Sequence, residues 1–340
     1  MERRSLLKFL SIGAIAGVSG RFFWPKTEHA SLNFPLPINE SLTAEALLAD
    51  SSVIQPVDMI ELPSHMSTPA PDVSQLLKLF RSKAIPIPEE IREIVENGDE
   101  GELSTYFVKM ENFESSHLED VFLSEPEYPL LLNAYKRLDR VQNLVGHGNF
   151  NVISFDDMRK FGSRYSSVGQ FTQYELDFLE QVFSDEVSRY GFFGEKVITK
   201  LTTVFPTKDR IKVSSTGHFL FRGEAENLYE RVKKDLDENV CLTSGIRSIV
   251  KQTHLFLAKT IHSKGNLSKA SRSIAPPGHS FHGISDFDVG KVGFGAKNFT
   301  ADFAQTDEFK KLVDLGYVNM RYPQGNLLDV RYEPWHIKVT

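Results

Sequence analysis

The feature that most constrains the fold of this chain is a set of acidic and imidazole side chains divided between two segments some fifty residues apart. One is the final stretch Val330–Thr340 (VRYEPWHIKVT), which holds Glu333-Pro-Trp-His336. The other is Pro276-Pro-Gly-His-Ser-Phe-His-Gly-Ile-Ser-Asp-Phe-Asp288. Histidine and aspartate suit a divalent metal such as zinc, and a glutamate that is not a ligand suits a general base. The two segments supply both sets, but they form one centre only if the fold brings them side by side. On a strand Asp286 and Asp288 face one way and Phe287 the other. Two carboxylates on one face beside histidines repel unless a cation or a proton lies between them. Otherwise this segment is a solvated, turn-capping loop. Glu333 and His336 fall on opposite faces of a regular strand. They share a centre only if Pro334 breaks the strand, or if Glu333 addresses the reacting water while His336 holds the metal. Trp335 reads as a core aromatic in either case.

Composition narrows the choices. At 340 residues, with 41% hydrophobic and 25% charged residues, the chain can bury a substantial core. A net charge of −6 argues against a general nucleic-acid binder. The single cysteine, Cys241, rules out an intramolecular disulfide and a thiolate-rich zinc site, so any metal must be held by His, Asp and Glu.

The N-terminus reads as an export signal over residues 1–30. Arg3 and Arg4 precede a short apolar run, from about Leu6 to Val18, that is interrupted by Lys8. It is shorter than the roughly 20 apolar residues of a membrane-spanning helix. Arg-Arg-Ser-Leu-Leu-Lys resembles the twin-arginine type of signal, and Glu28-His-Ala30 is a candidate cleavage site. An uncleaved anchor or a merely basic tail is the alternative. Residues 31–72, rich in Pro, Ser, Thr and Ala, read as a linker or weakly ordered segment. A helical region of unassigned role follows over 73–150, with helices expected at Val73–Lys83, Pro88–Asn97 and Tyr128–Val145.

The second half reads as a compact α+β domain over 151–340. Helices are expected at Phe171–Tyr190 (stopped by Gly191), Glu224–Leu236, Val250–His262 and Asp307–Leu315. Strands are expected at Val240–Ile246, Phe287–Val292 and Val330–Val339, and the pattern lacks long parallel βαβ units. In the first of these helices Tyr174, Phe178, Leu179, Val182, Phe183 and Val187 form a stripe read as core. His254 and His262 read as ordinary surface histidines and Asp302 as a surface acid. Gly290-Lys-Val-Gly-Phe-Gly295 does not have the order of a dinucleotide-binding loop.

Pro-Gly-His-Ser-Phe-His282 with Asp-Phe-Asp288, then Glu-Pro-Trp-His336, resembles the zinc D-alanyl-D-alanine carboxypeptidases of the VanY type and their dipeptidase relatives. Their pattern is Ser-x-His-x-x-Gly-x-x-x-Asp followed downstream by Glu-x-x-His. Thr243-Ser-Gly-Ile-Arg-Ser248 with Gln252 resembles the family's Ser-Gly-Tyr-Arg-Ser stretch, Ile246 replacing tyrosine. The resemblance runs from about Leu220 to Thr340. It implies a compact zinc peptidase domain with a small antiparallel sheet, following the mostly helical N-terminal region. It also implies His282, Asp288 and His336 as zinc ligands and Glu333 as general base. Arg247, assisted by Ser280 and Gln252, would bind the substrate's terminal carboxylate. The implied activity is hydrolysis of the terminal D-alanyl-D-alanine bond of peptidoglycan stem peptides in the periplasm or cell envelope. The export machinery would be the partner of the N-terminal segment. L,D-carboxypeptidase or endopeptidase activity, or a degenerate site that binds envelope partners without cutting, are the alternatives.

The departures concern register. The family step from histidine to aspartate is seven, whereas His282 to Asp288 is six; Ser285 stands for the family glycine, and Asp286 is an extra carboxylate. An alternative register pairs His279 with Asp286, at the loss of the serine two positions ahead, where Pro277 stands.

Overall fold

The structure is a computed structural model that describes residues 107–340 apart from 319, 320, 324, 325, 327–329 and 340. The signal-like segment, the 31–72 stretch and the helices expected at Val73–Lys83 and Pro88–Asn97 lie outside the described residues.

Apolar residues three and four apart build the first helices. In α1, Tyr128–Val145, a proline in the first turn costs no hydrogen bond, and Leu131, Ala134, Leu138 and Val141 form the buried face. Helix α2, Phe155–Arg164, begins where Ser154 Oγ accepts from the Asp157 amide. In α3, Gln173–Ser184, Thr172 Oγ1 accepts from the Glu175 amide while the Glu175 carboxylate accepts from the Thr172 amide. Arg137 of α1 clamps the same carboxylate through Nε, at 3.0 Å to each oxygen. The helix expected to reach Tyr190 stops at Ser184, because Asp185 turns extended and takes the Arg189 guanidinium at 2.9 and 2.6 Å. A 3-10 turn, Val187–Tyr190, then ends at Gly191, whose φ of +93° suits glycine. Tyr174 is 72% exposed and stands outside the buried stripe.

Helix α4, Glu224–Asp235, precedes strand β3, Val240–Ser244, and helix α5, Ile249–His262, follows. Ser248 caps α5, and Gly265 closes its end at φ +84° with its amide on Thr260 O. His262 is exposed as expected. His254 is not a surface histidine: it is buried, stacked on Tyr135 of α1 at 4.9 Å and set edge-on to Phe150. The reason is that α5 is covered on most of its circumference, so the position takes its character from α1 rather than from water. Asp302 is half-buried and pairs with Lys297. Helix α6, Leu267–Ser271, follows α5, and α1, α2, α3, α5 and α6 share one core that includes Leu138, Phe150, Phe178 and Phe256.

Residues 111–123 strap this helical layer. Arg272, after α6, is buried and donates to both Asp120 oxygens at 2.9 and 3.1 Å, and to Ser115 O and Phe113 O. Asn266 Nδ2 donates to the same carboxylate, and Lys259 pairs with Glu114. Among the described residues no helix is long and apolar enough to cross a membrane.

The second layer is a mixed α+β arrangement around an antiparallel sheet in the order β3-β4-β5, with β4 Phe287–Lys291 in the middle and β5 His336–Ile337 at its edge. Leu242 pairs with Val289 and Phe287 with Ile337, and these four side chains enter a core with Val232, Phe309, Leu312 and Trp335. Helix α7, Asp307–Asp314, covers it. An irregularity between Leu242 and Ser244 shifts the register so that Ser244 stands opposite Asp288. A bulge of this kind changes which face a strand presents, and here it moves Ser244 from the core face to the face of Asp288. Asp288 also pairs with His336, so Ser244, Asp288 and His336 lie abreast on the polar face. A two-stranded hairpin earlier in the chain, β1 Arg210–Lys212 with β2 Phe219–Phe221, escaped sequence reading because three-residue strands leave almost no period. The expected strand over 330–339 is paired only at His336–Ile337. Pro334 has no N–H to give a ladder, and the chain turns there, with the His336 amide on Glu333 O at 3.1 Å.

Candidate metal centre

Three elements each place one potential ligand. His282 lies in the 3-10 turn Phe281–Gly283, where its Nδ1 is 2.8 Å from Gly245 O and Arg247 N donates to its carbonyl. A Cβ at Gly283 would meet Ile198 Cδ1 at 2.2 Å, so a side chain there would make the Ile198 side chain move. Asp288 occupies the centre of the sheet at 1% exposure, and His336 sits beside it at 2%. Among the described residues this trio offers ligand atoms all within 4.8 Å of one another. Asp288 Oδ1 lies 3.2 Å from His282 Nε2 and 3.2 Å from His336 Nδ1, yet it is buried without a well-directed hydrogen bond. Two imidazoles converging on an orphaned carboxylate oxygen are the donor set that divalent zinc favours, so the residues fit such an ion.

Electrostatics supports that reading. Burial lowers the His282 pKa, reinforced by the charge of Arg247, so that its imidazole is neutral with a lone pair available. Burial alone would raise Asp288, but its interactions with His282 and Arg247 hold it well below the usual carboxylate range. Burial would lower His336, yet its bonds to Asp286 and Asp288 outweigh that and bring it up to about 9. A cation among the three would take the place of that proton.

Glu333 joins them from the other side of the turn at Pro334. Its Oε2 is 3.8 Å from His336 Nδ1 and its Oε1 is 3.7 Å from Arg331 Nε. Burial raises its pKa, with Arg331 the main opposing charge. Sequence reasoning missed Arg331, whose guanidinium lies 4.9 Å from the Trp335 ring and 5.1 Å from that of Phe113. Arg331 and Glu333 alternate on an extended segment, a spacing that shares a face and was the available signal.

The remaining expected residues are placed differently. Arg247 is already engaged, its Nη2 donating to Asp288 Oδ2 at 2.7 Å and its Nε to Ser244 Oγ at 2.8 Å. Gln252 is buried in α5, and its amide nitrogen donates to Ala275 O at 2.6 Å. Ser280 is buried at the start of the His282 turn, with its carbonyl accepting from the Gly283 amide. His279 stands apart from the trio, its Nδ1 at 2.9 Å from Gly194 O and its ring edge-on to Phe192. Asp286 reaches the far side of His336, at 2.9 Å from Nε2.

Residues 222–339 match the family model VanY, D-alanyl-D-alanine carboxypeptidase. Comparison with curated protein sequences gives no match. Among solved structures, the LdcB LD-carboxypeptidase, described for peptidoglycan recognition, is 22% identical over 40% of this chain and 69% of its own, with a TM-score of 0.34. The vancomycin-resistance D,D-pentapeptidase VanY in complex with Zn(II) is 19% identical over 40% of this chain and 82% of its own, TM-score 0.31. VanYB in complex with D-alanine-D-alanine is 20% identical over 40% and 81%, TM-score 0.31. The segment that is similar to the VanY family of D-alanyl-D-alanine carboxypeptidases, residues 222–339, is the one that contains His282, Asp288, Glu333 and His336.

Proposed function

We propose that the protein is a zinc-dependent D,D-carboxypeptidase that removes the terminal D-alanine of peptidoglycan stem peptides. The observation that carries the proposal is the convergence of His282, Asp288 and His336 with Glu333 beside them. His282 through Nε2, Asp288 through Oδ1 and His336 through Nδ1 would hold the ion. When bound, zinc supplies a Lewis acid that polarises a carbonyl and makes water more acidic. The chain does the rest. Glu333, half-buried where desolvation raises its proton affinity, takes the proton of the attacking water and returns it to the leaving amine. Arg247 holds Asp288 in place through Nη2 and turns its Nη1 edge to the substrate's terminal carboxylate, where a guanidinium is well matched. The twin-arginine-like N-terminus fits delivery of the enzyme across the membrane to that substrate.

The test is to incubate the purified protein and zinc with a muramyl pentapeptide and a muramyl tetrapeptide, following mass. Loss of one alanine from the pentapeptide, abolished by chelator and by Glu333→Ala, is expected. Cleavage of the tetrapeptide alone would replace the D,D assignment with an L,D one. No cleavage of either would overturn the proposal.

A further inference from the structure

The two histidines of the trio meet it through different ring nitrogens. His282 turns Nε2 inward, and its Nδ1 is satisfied by a main-chain carbonyl, Gly245 O. His336 turns Nδ1 inward, so the group that satisfies its Nε2 must be found elsewhere. Asp286 supplies it: Oδ2 lies 2.9 Å from His336 Nε2, and the carboxyl is 1% exposed. The same carboxylate accepts from Arg321 Nε at 2.6 Å and from the Val339 amide at 2.9 Å. Arg321 in turn lies over the Phe281 ring, 3.4 Å from its centroid, next in sequence to His282.

A neutral imidazole has one N–H and one lone pair, and whichever nitrogen finds an acceptor keeps the proton. Asp286 already takes donors from Arg321 and Val339, so this carboxylate meets the ring as an acceptor. We infer that Asp286, backed by Arg321, is a positioning residue that keeps the proton of His336 on Nε2 and so turns the Nδ1 lone pair toward Asp288 and His282. The inference rests on the proposed metal site, and it assigns Asp286 a place behind a ligand rather than among the ligands. It also explains how two carboxylates two residues apart coexist when buried. Each faces a different nitrogen of one ring, with its own arginine: Arg247 for Asp288 and Arg321 for Asp286. Loss of such an outer partner commonly weakens metal binding by about 10–100-fold without removing a ligand.

The experiment is a zinc titration against a competing chelator for the full chain and for Asp286→Ala, Asp286→Asn, Arg321→Gln and Asp288→Ala, with nitrogen-15 spectra of the His336 ring. Expected for the Asp286 variants is one equivalent of zinc bound about 10–100-fold more weakly, with the Nε2–H signal of His336 shifted or lost. Arg321→Gln should weaken binding in the same sense. Asp288→Ala should bind no stoichiometric zinc. If Asp286→Ala also binds none, Asp286 is a ligand and the inference falls; unchanged affinity and an unchanged ring signal overturn it equally. A wild-type protein that binds no zinc defeats the proposed function instead. In that case the ring spectrum of the metal-free protein, recorded where His336 is neutral, decides the inference: a proton on Nδ1 overturns it.

Discussion

Glu333 and His336 are three residues apart and would diverge on a regular strand; the turn at Pro334 is what gathers them at one centre. Their different jobs should separate experimentally. Glu333→Gln keeps the shape of the side chain but removes its basicity, so kcat should fall by about 10²–10⁴-fold while zinc stoichiometry stays at one. Asp288→Ala should remove both metal and activity, read by metal analysis of the purified variant. At this scale the family resemblance was informative: it implied His282, Asp288, His336 and Glu333, with His279 and Asp286 as the other register, before any geometry. What it could not reveal was pairing across the site. The bond from Arg247 to Asp288 and the bond from Asp286 to His336 join residues 41 and 50 positions apart, and no local pattern encodes them.

Among the elements, the passage from β3 to α5 carries the most constraint. Gly245 lies where a Cβ would stand 2.0 Å from Phe219 O, and its own carbonyl orients His282. Gly245→Ala must therefore move backbone against backbone. A melting temperature lower by several degrees, together with weaker zinc binding, is expected from calorimetry and metal titration of that variant. Helix starts were readable because Ser248, Thr172 and Thr306 are capping residues ahead of apolar periods. Strand ends were not, since Gly245 and Pro334 stop pairing for reasons of space and missing donors that a periodic pattern does not record. The bulge at Thr243 was equally hidden. It is a one-residue change of phase, visible only once β4 is laid alongside.

For the molecule as a whole, the strap over 111–123 binds the helical layer through charge. Asp120 and Arg272 are 2% and 3% exposed, and Asn266 completes the carboxylate's bonds. Burial alone would raise Asp120, but the bonds from Arg272 and Asn266 outweigh it and bring its pKa down to about 2. A carboxyl depressed on folding stabilises the protein above its ordinary pKa, and that contribution disappears as pH falls from about 4 to about 2. Asp120→Ala should cost about 3 kcal/mol at pH 7, because it leaves a buried arginine uncompensated. The gap from wild type should narrow below pH 4 in denaturant titrations. The α+β class could be read from the alternation of helical and strand periods, and the small sheet from the family resemblance. The strap could not, because residues 111–123 are polar and aperiodic, and their anchors lie about 150 positions away.

The trio draws its donors from a turn, a central strand and an edge strand only two residues long. An ion held there fastens β5 more firmly than its few ladder bonds can. Free zinc at about 1,000 times its dissociation constant would add about 4 kcal/mol to the folded state. The melting temperature of this protein should therefore track free zinc, rising with concentration and dropping on chelation, which makes the unfolding curve a gauge of how much metal its surroundings supply.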